Sequence, residues 1–334
     1  MKNRIRKSLL VTLGILGIFI VFIVIKFSFI GKDIDIEKCK PFLLQSTNQK
    51  NIKLTYLGTS CFIIDNHGKK FMSDPFFSNP SLISTFIGTM KQEPIADYIP
   101  TADYANISMT TISHGHYDHC FDVAQIVQPN TTLVADKSTL LQLNNELQSN
   151  PNQIALTAQP FKDWVYSKDS AFRVFPILCK HNPHFGKTVL FSGHYSEALA
   201  SVPTKLWQWK LGESNYSFII DALQADSVVF RMALLSGNIS EREYQKIQTI
   251  CSTRKCDVLS STFWKKKINE PSLRQSLAST QADIILLNHW NNFFRSNKKS
   301  LQQLRSSKLE KELVEFKKEH LPIQIMLPFT SVTL

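Results

Sequence analysis

Ser113-His114-Gly115-His116-Tyr117-Asp118-His119 places three imidazoles and a carboxylate within six positions, directly after the β-branched run 107–113 (ISMTTIS). A strand that breaks off into a loop can aim alternating imidazoles at one centre. A helix starting there would carry Asp118 and His119 toward a second. Neutral imidazoles plus a carboxylate are the donor set of a borderline cation such as Zn²⁺, and packing alone gives no reason to crowd titratable groups this way.

Outward from this stretch, the chain alternates β-rich runs with helical ones. Residues 52–57 and 61–64, split by Gly58-Thr59-Ser60, and residues 70–72, leading into Ser73-Asp74-Pro75, predict an antiparallel meander. Residues 132–134 predict a strand, followed by a helix over 137–147 with Asp136 as N-cap. Further strands are expected at 172–179, 216–220, 228–235, 257–260 and 284–287. Capping boxes at Ser240/Glu243 and Ser300/Gln303 predict helices near 241–251 and over 301–319. The pattern is mixed α/β, with sheets flanked by helices.

The formal charge of +11 is not a nucleic-acid signal. Residues 1–32 hold six of the 38 basic side chains and no acid, which leaves 32 basic against 27 acidic over the rest. Residues 9–25 (LLVTLGILGIFIVFIVI) are free of charge, and Phe27-Ser28-Phe29-Ile30 extends them past a Lys26 able to snorkel. These features predict an uncleaved signal anchor over 1–32, a tether over 33–50 and one domain over 51–334. The charges ahead of the span predict a single-pass membrane protein, its amino terminus cytoplasmic and its domain extracytoplasmic. Cys39, Cys61, Cys120, Cys179, Cys251 and Cys256 show no repeated Cys-x-x-Cys. Cys251 and Cys256 are spaced either for a loop disulfide or as two isolated thiols.

The His114–His119 stretch resembles the His-x-His-x-Asp-His signature of the metallo-β-lactamase superfamily of hydrolases, and the resemblance extends over roughly 51–334. Phe71-Met72-Ser73-Asp74-Pro75 is similar to that family's early strand-end aspartate, and His289 in Leu287-Asn288-His289-Trp290 to its last histidine. His181 in Lys180-His181-Asn182-Pro183-His184 is similar to its third, with His184 as the alternative. Leu57-Gly58-Thr59-Ser60 with Asp74-Pro75 most resembles the lactonase-like and N-acyl-phosphatidylethanolamine phospholipase-like branch. The resemblance implies a four-layer αββα sandwich with a dinuclear site. His114, His116 and His181 would hold one metal; Asp118, His119 and His289 would hold the other. Asp118 would also orient a metal-bound hydroxide, and Asp74 would accept a hydrogen bond from a ligand imidazole. Zn²⁺, one or two, is the implied cofactor, with Mn²⁺ and Fe²⁺ open.

One departure stands out. The family carries a bridging aspartate at a strand end between its third and last histidines, whereas here the 228–235 run ends in Ser236-Gly237-Asn238. The position falls on Asn238 or Ser236, neither anionic. Asp221 and Asp226 are expected in the turn between two strands. Two functions follow: a membrane-anchored metal-dependent hydrolase of an ester, lactone or phosphodiester, a small molecule or a lipid, or a degenerate metal-binding member with little turnover. Phe76, Phe77, Phe185, Trp207, Trp209, Trp290, Phe293 and Phe294 are expected either to line an apolar pocket or to build the core.

Overall fold

The computed structural model describes residues 2–28, 31–148, 150–184, 186–263, 271–304 and 307–334. Residues 52–73 form the expected meander, the strands Ile52–Gly58, Cys61–Asn66 and Lys69–Ser73 pairing antiparallel. Ile107–Thr111, Thr132–Asp136 and Gln153–Leu156 then add in parallel, and Thr330–Thr333 returns to pair with Ile52–Gly58, closing a seven-stranded sheet. A second sheet is built on the antiparallel strands Phe172–Lys180, Asn215–Gln224 and Ser227–Leu235. Val258–Thr262, Ile284–Asn288 and Ile323–Ile325 extend it in parallel.

Strand periodicity sets the layers. In Cys61–Asn66, Phe62 and Ile64 enter the core that both sheets share, while Cys61 and Ile63 face an outer cluster with Ile95 and Ile99. Thr132–Asp136 sends Val134 inward and Leu133 and Ala135 outward against Leu140, Leu143 and Leu147 of the helix Lys137–Leu147. On the second sheet the helix Glu241–Thr253 contributes Tyr244, Ile247 and Cys251 to the shared core. The mixed α/β layering thus follows from alternating burial on both sheets.

Helix starts follow local chemistry in two cases and depart from it in a third. Asp136 accepts from the amides of Ser138 and Thr139, and Ser240 from that of Glu243. The expected helix from Ser300 is instead the strand Gln302–Leu304, with the helix beginning only at Leu309. Gln303 Oε1 accepts from the Leu309 amide and Gln303 Nε2 donates to Glu310, so this side chain serves the later helix. All six cysteines are buried thiols, the Sγ atoms of Cys251 and Cys256 3.7 Å apart.

Residues 33–50 are folded against the domain. Gly31–Asp33 pairs with Gln302–Leu304, Cys39, Phe42 and Leu44 are buried, and the Leu44 amide donates to Ile325. The amino-terminal helix runs Lys2–Ser28. Among the described residues, no helix is long and apolar enough to cross a membrane. That finding overturns the expected transmembrane signal anchor and the membrane localisation with an extracytoplasmic domain. The side chains of Leu9, Lys26, Phe27 and Ser28, and all of Phe29 and Ile30, lie outside the described residues.

On the helix Lys137–Leu147, Glu146 sits half-buried with its Oε2 unpaired among the described residues. Burial, reinforced by Asp122, pushes its carboxyl up to about 7. The folded chain therefore holds a proton that the unfolded chain has already released. Stability contributed by the protonated form is present at low pH and lost as pH rises through about 7. Glu146→Gln should stabilise the fold relative to the parent at pH 8, by about 1 kcal/mol after allowance for solvent and seen as a higher thermal midpoint, and leave the midpoint level near pH 4.5. An equal difference at both pH values would remove the titration from the explanation.

Candidate metal centre

The strand Ile107–Thr111 ends short of Ser113, and His116 becomes the N-cap of a single helical turn, Tyr117–Cys120. Gly115 is required between the two imidazoles, because a Cβ there would meet the Lys210 carbonyl at 2.4 Å. The loop is pinned on both sides: the Gly115 amide donates to Leu211, and Gln142 Nε2 donates to the Gly115 carbonyl.

Two triads result. One potential ligand atom each from His114, His116 and His181 lies within 4.8 Å of the others, and the same holds for Asp118, His119 and His289. The His114 and His119 rings, 4.1 Å apart, bring the triads side by side. His289 Nε2 stands 3.3 Å and His119 Nε2 3.8 Å from Asp118 Oδ2. Both triads border one open cavity of about 490 Å³, which Asn182, His184, Ser236, Thr262 and Phe293 also line.

Asp74, at a left-handed φ of 39°, orients the first loop. Its Oδ1 accepts from the Ser113 amide at 2.6 Å, and its Oδ2 accepts from Ser113 Oγ at 3.0 Å and His119 Nδ1 at 2.8 Å. Since Ser113 Oγ donates to a carboxylate, its lone pair accepts from His114 Nδ1 at 3.0 Å. His114 and His119 consequently both turn a bare Nε2 to the cavity. Ser113 escaped the sequence reading; its one signal was its place between the strand and the first histidine.

The electrostatics suit a cation. Burial drives His114 well below the usual imidazole range, His116 down to about 3 against the pull of Asp118, and His181 down to about 2 with His116 and His184 adding to it. Those three rings are neutral lone-pair donors. At His119 burial also pulls downward, but Asp74 and Asp118 outweigh it and the net direction is up. Asp118 is opposed by burial yet held below the usual carboxylate range by His119 and His289. His114 Nε2 and His116 Nδ1 approach to 3.1 Å, and the buried Nε2 of His116 has no partner among the described residues. Lone pairs converging this closely fit a divalent metal ligated by nitrogen and oxygen.

The far wall comes from the second sheet. His289, at φ 60°, donates its amide to Thr59 O at 2.6 Å, and Asn291 Oδ1 accepts from the Thr59 amide at 2.8 Å. The Gly58-Thr59-Ser60 turn of one sheet thereby fixes the last histidine of the other. Of the eight aromatics, Phe185 lies outside the described residues; among the other seven Phe293 alone lines the cavity, Phe76, Phe77, Trp209 and Trp290 are buried core, Phe294 packs partly buried against the core, and Trp207 is exposed.

The register after Ser227–Leu235 is also settled. Asn238 is exposed and pairs with Lys180, so it is corrected away from the bridging position, whereas Ser236 lines the cavity. Ser236 Oγ donates to the Tyr216 carbonyl at 2.6 Å. Asp118 is thus the sole carboxylate among the cavity's described residues. Ser236→Asp should tighten the second metal by on the order of tenfold while Asn238→Asp changes nothing, as read by titration calorimetry. A gain from Asn238→Asp alone would reverse the assignment. Asp221 is corrected too: it lies within Asn215–Gln224, and the hairpin turns at Ala225 and Asp226, both at positive φ.

The comparisons agree with this architecture. Residues 53–186 match the model of the beta-lactamase superfamily domain. A metal-dependent hydrolase of Aeropyrum pernix is 31% identical over 78 residues, 23% of this chain and 26% of that one. One of Carboxydothermus hydrogenoformans is 36% identical over 78 residues, 23% of this chain and 27% of the other. The match thus spans about a quarter of each relative's length. The isothiocyanate hydrolase from Delia radicum gut bacteria shares the fold at a TM-score of 0.50 and 14% identity, over 84% of this chain and 99% of its own. Residues 53–186 are thus similar to a beta-lactamase superfamily domain.

Proposed function

We propose that this chain is a metal-dependent hydrolase of an ester, lactone or phosphodiester bond. The observation that carries the reading is the pair of triads, His114/His116/His181 and Asp118/His119/His289, bordering one cavity. Divalent metal held there would lower the pKa of water and polarise a carbonyl or phosphoryl oxygen. The chain's own residues supply the rest. Asp118 holds a carboxylate at the cavity that stays ionised and accepts a proton-bearing nucleophile in a fixed orientation. Asp74 and Ser113 keep the Nδ1 protons of His119 and His114 pointing away from the cavity. Phe293 borders it as an apolar wall. The relatives' description as metal-dependent hydrolases supports the same class.

The degenerate alternative is favoured by Ser236, which puts a hydroxyl already donating to Tyr216 where an anion would strengthen the second site. One experiment separates the two. Protein loaded with Zn²⁺, Mn²⁺ or Fe²⁺ is assayed against panels of esters, lactones and phosphodiesters, before and after chelation. Turnover of one panel, lost to chelator and restored by metal, is expected. Stoichiometric metal with no turnover on any panel would leave the binding-protein reading.

A further inference from the structure

His184 stands three residues after His181 with its ring stacked on it, centroids 4.9 Å apart at 20°, and 5.7 Å from the His116 ring. Proximity alone would make it a fourth nitrogen ligand. The backbone partners of the two rings, however, have opposite polarity. His181 Nδ1 lies 2.6 Å from the Asn182 carbonyl, which can only accept, so that nitrogen carries the proton and Nε2 keeps its lone pair. His184 Nδ1 lies 3.0 Å from the Leu190 amide, which can only donate, so that nitrogen is bare and the neutral ring carries its proton on Nε2. The His184 amide also donates to the Thr188 carbonyl at 2.9 Å, a second backbone bond at the same residue.

We propose that His184 is not a metal ligand but a neutral Nε2–H donor on the cavity wall, positioned to hold an oxygen of the substrate. A nitrogen that bears a proton offers no lone pair to a cation. Its complement is an acceptor oxygen, carbonyl or phosphoryl, presented beside the His116/His181 triad. The substrate half of this assignment rests on the hydrolase reading; the donor half rests on the two backbone hydrogen bonds.

The test uses the full chain, ¹⁵N-labelled. Long-range proton–nitrogen spectra of the imidazoles, assigned with His181→Gln and His184→Gln, should show His184 protonated at Nε2 and His181 at Nδ1. Metal content should fall in His181→Gln and hold in His184→Gln. Inorganic phosphate, titrated against metal-loaded protein as an oxyanion probe, should bind about tenfold more weakly to His184→Phe, with Gln, which keeps an N–H donor, recovering part of the loss. A proton on Nδ1 of His184, metal loss in His184→Gln equal to that in His181→Gln, or phosphate affinity unchanged in His184→Phe would each overturn the proposal. Should the tautomers and phosphate pattern hold while the parent turns over no substrate panel, the hydrolase reading fails and the donor stands.

Discussion

His116→Ala, and equally His114→Ala, should leave the purified protein with little metal at its first site. Two of three neutral nitrogens then remain. Changing a partner that merely orients a ligand costs 10 to 100-fold in affinity, so deleting a ligand should cost on the order of a hundredfold or more. Asp74→Asn supplies the graded comparison, since it removes the carboxylate that accepts from His119 and Ser113 but leaves every ligand atom in place. Its loss should be smaller and fall on the second site. Metal analysis after gel filtration, with circular dichroism to confirm folding, reads all three variants. Full stoichiometry retained in both histidine variants would end the assignment of the first triad.

Asp221→Ala should be the most destabilising of the changes considered. Asp221 is 0% exposed and grips Arg231 through two bonds, Nε to Oδ1 at 2.6 Å and Nη2 to Oδ2 at 2.8 Å, with Arg173 Nε at 2.9 Å on the same carboxylate. Arg231 is itself buried and cannot reach water when its partner is removed. Leaving such a charge uncompensated costs about 3–5 kcal/mol. Replacing both partners by apolar residues of similar volume, Asp221→Leu with Arg231→Met, should recover much of that loss, because the penalty lies in the orphaned charge. Denaturant unfolding reads both. A loss below about 1 kcal/mol in Asp221→Ala, or no recovery in the double variant, would show that the pair is not what holds the two strands.

The contrast between these two aspartates shows what the chain reveals by itself. The run from Ser113 to His119 declared a metal site because ligands that come from one loop are close in sequence as well as in space. Asp136 and Ser240 declared their helices for the same reason: a cap and the amide it serves are two or three residues apart. Strand positions were legible wherever alternation and β-branched runs coincided. Ser300 misled because the Gln303 side chain serves a helix starting at Leu309, a distinction spacing does not carry.

Tertiary structure decided everything that depends on two segments meeting. That His289 completes the second triad depends on its amide reaching Thr59, 230 positions earlier in the opposite sheet. That Ser236 rather than Asn238 faces the cavity depends on the pairing of Asn238 with Lys180. Asp221 looked like a turn residue until the hairpin closed four residues later and matched it with Arg231 across the ladder. His181 and His184 are the sharpest case, being equivalent in composition and nearly so in position. Only the Asn182 carbonyl beside one ring and the Leu190 amide beside the other decide which nitrogen holds a lone pair for a metal and which holds a proton.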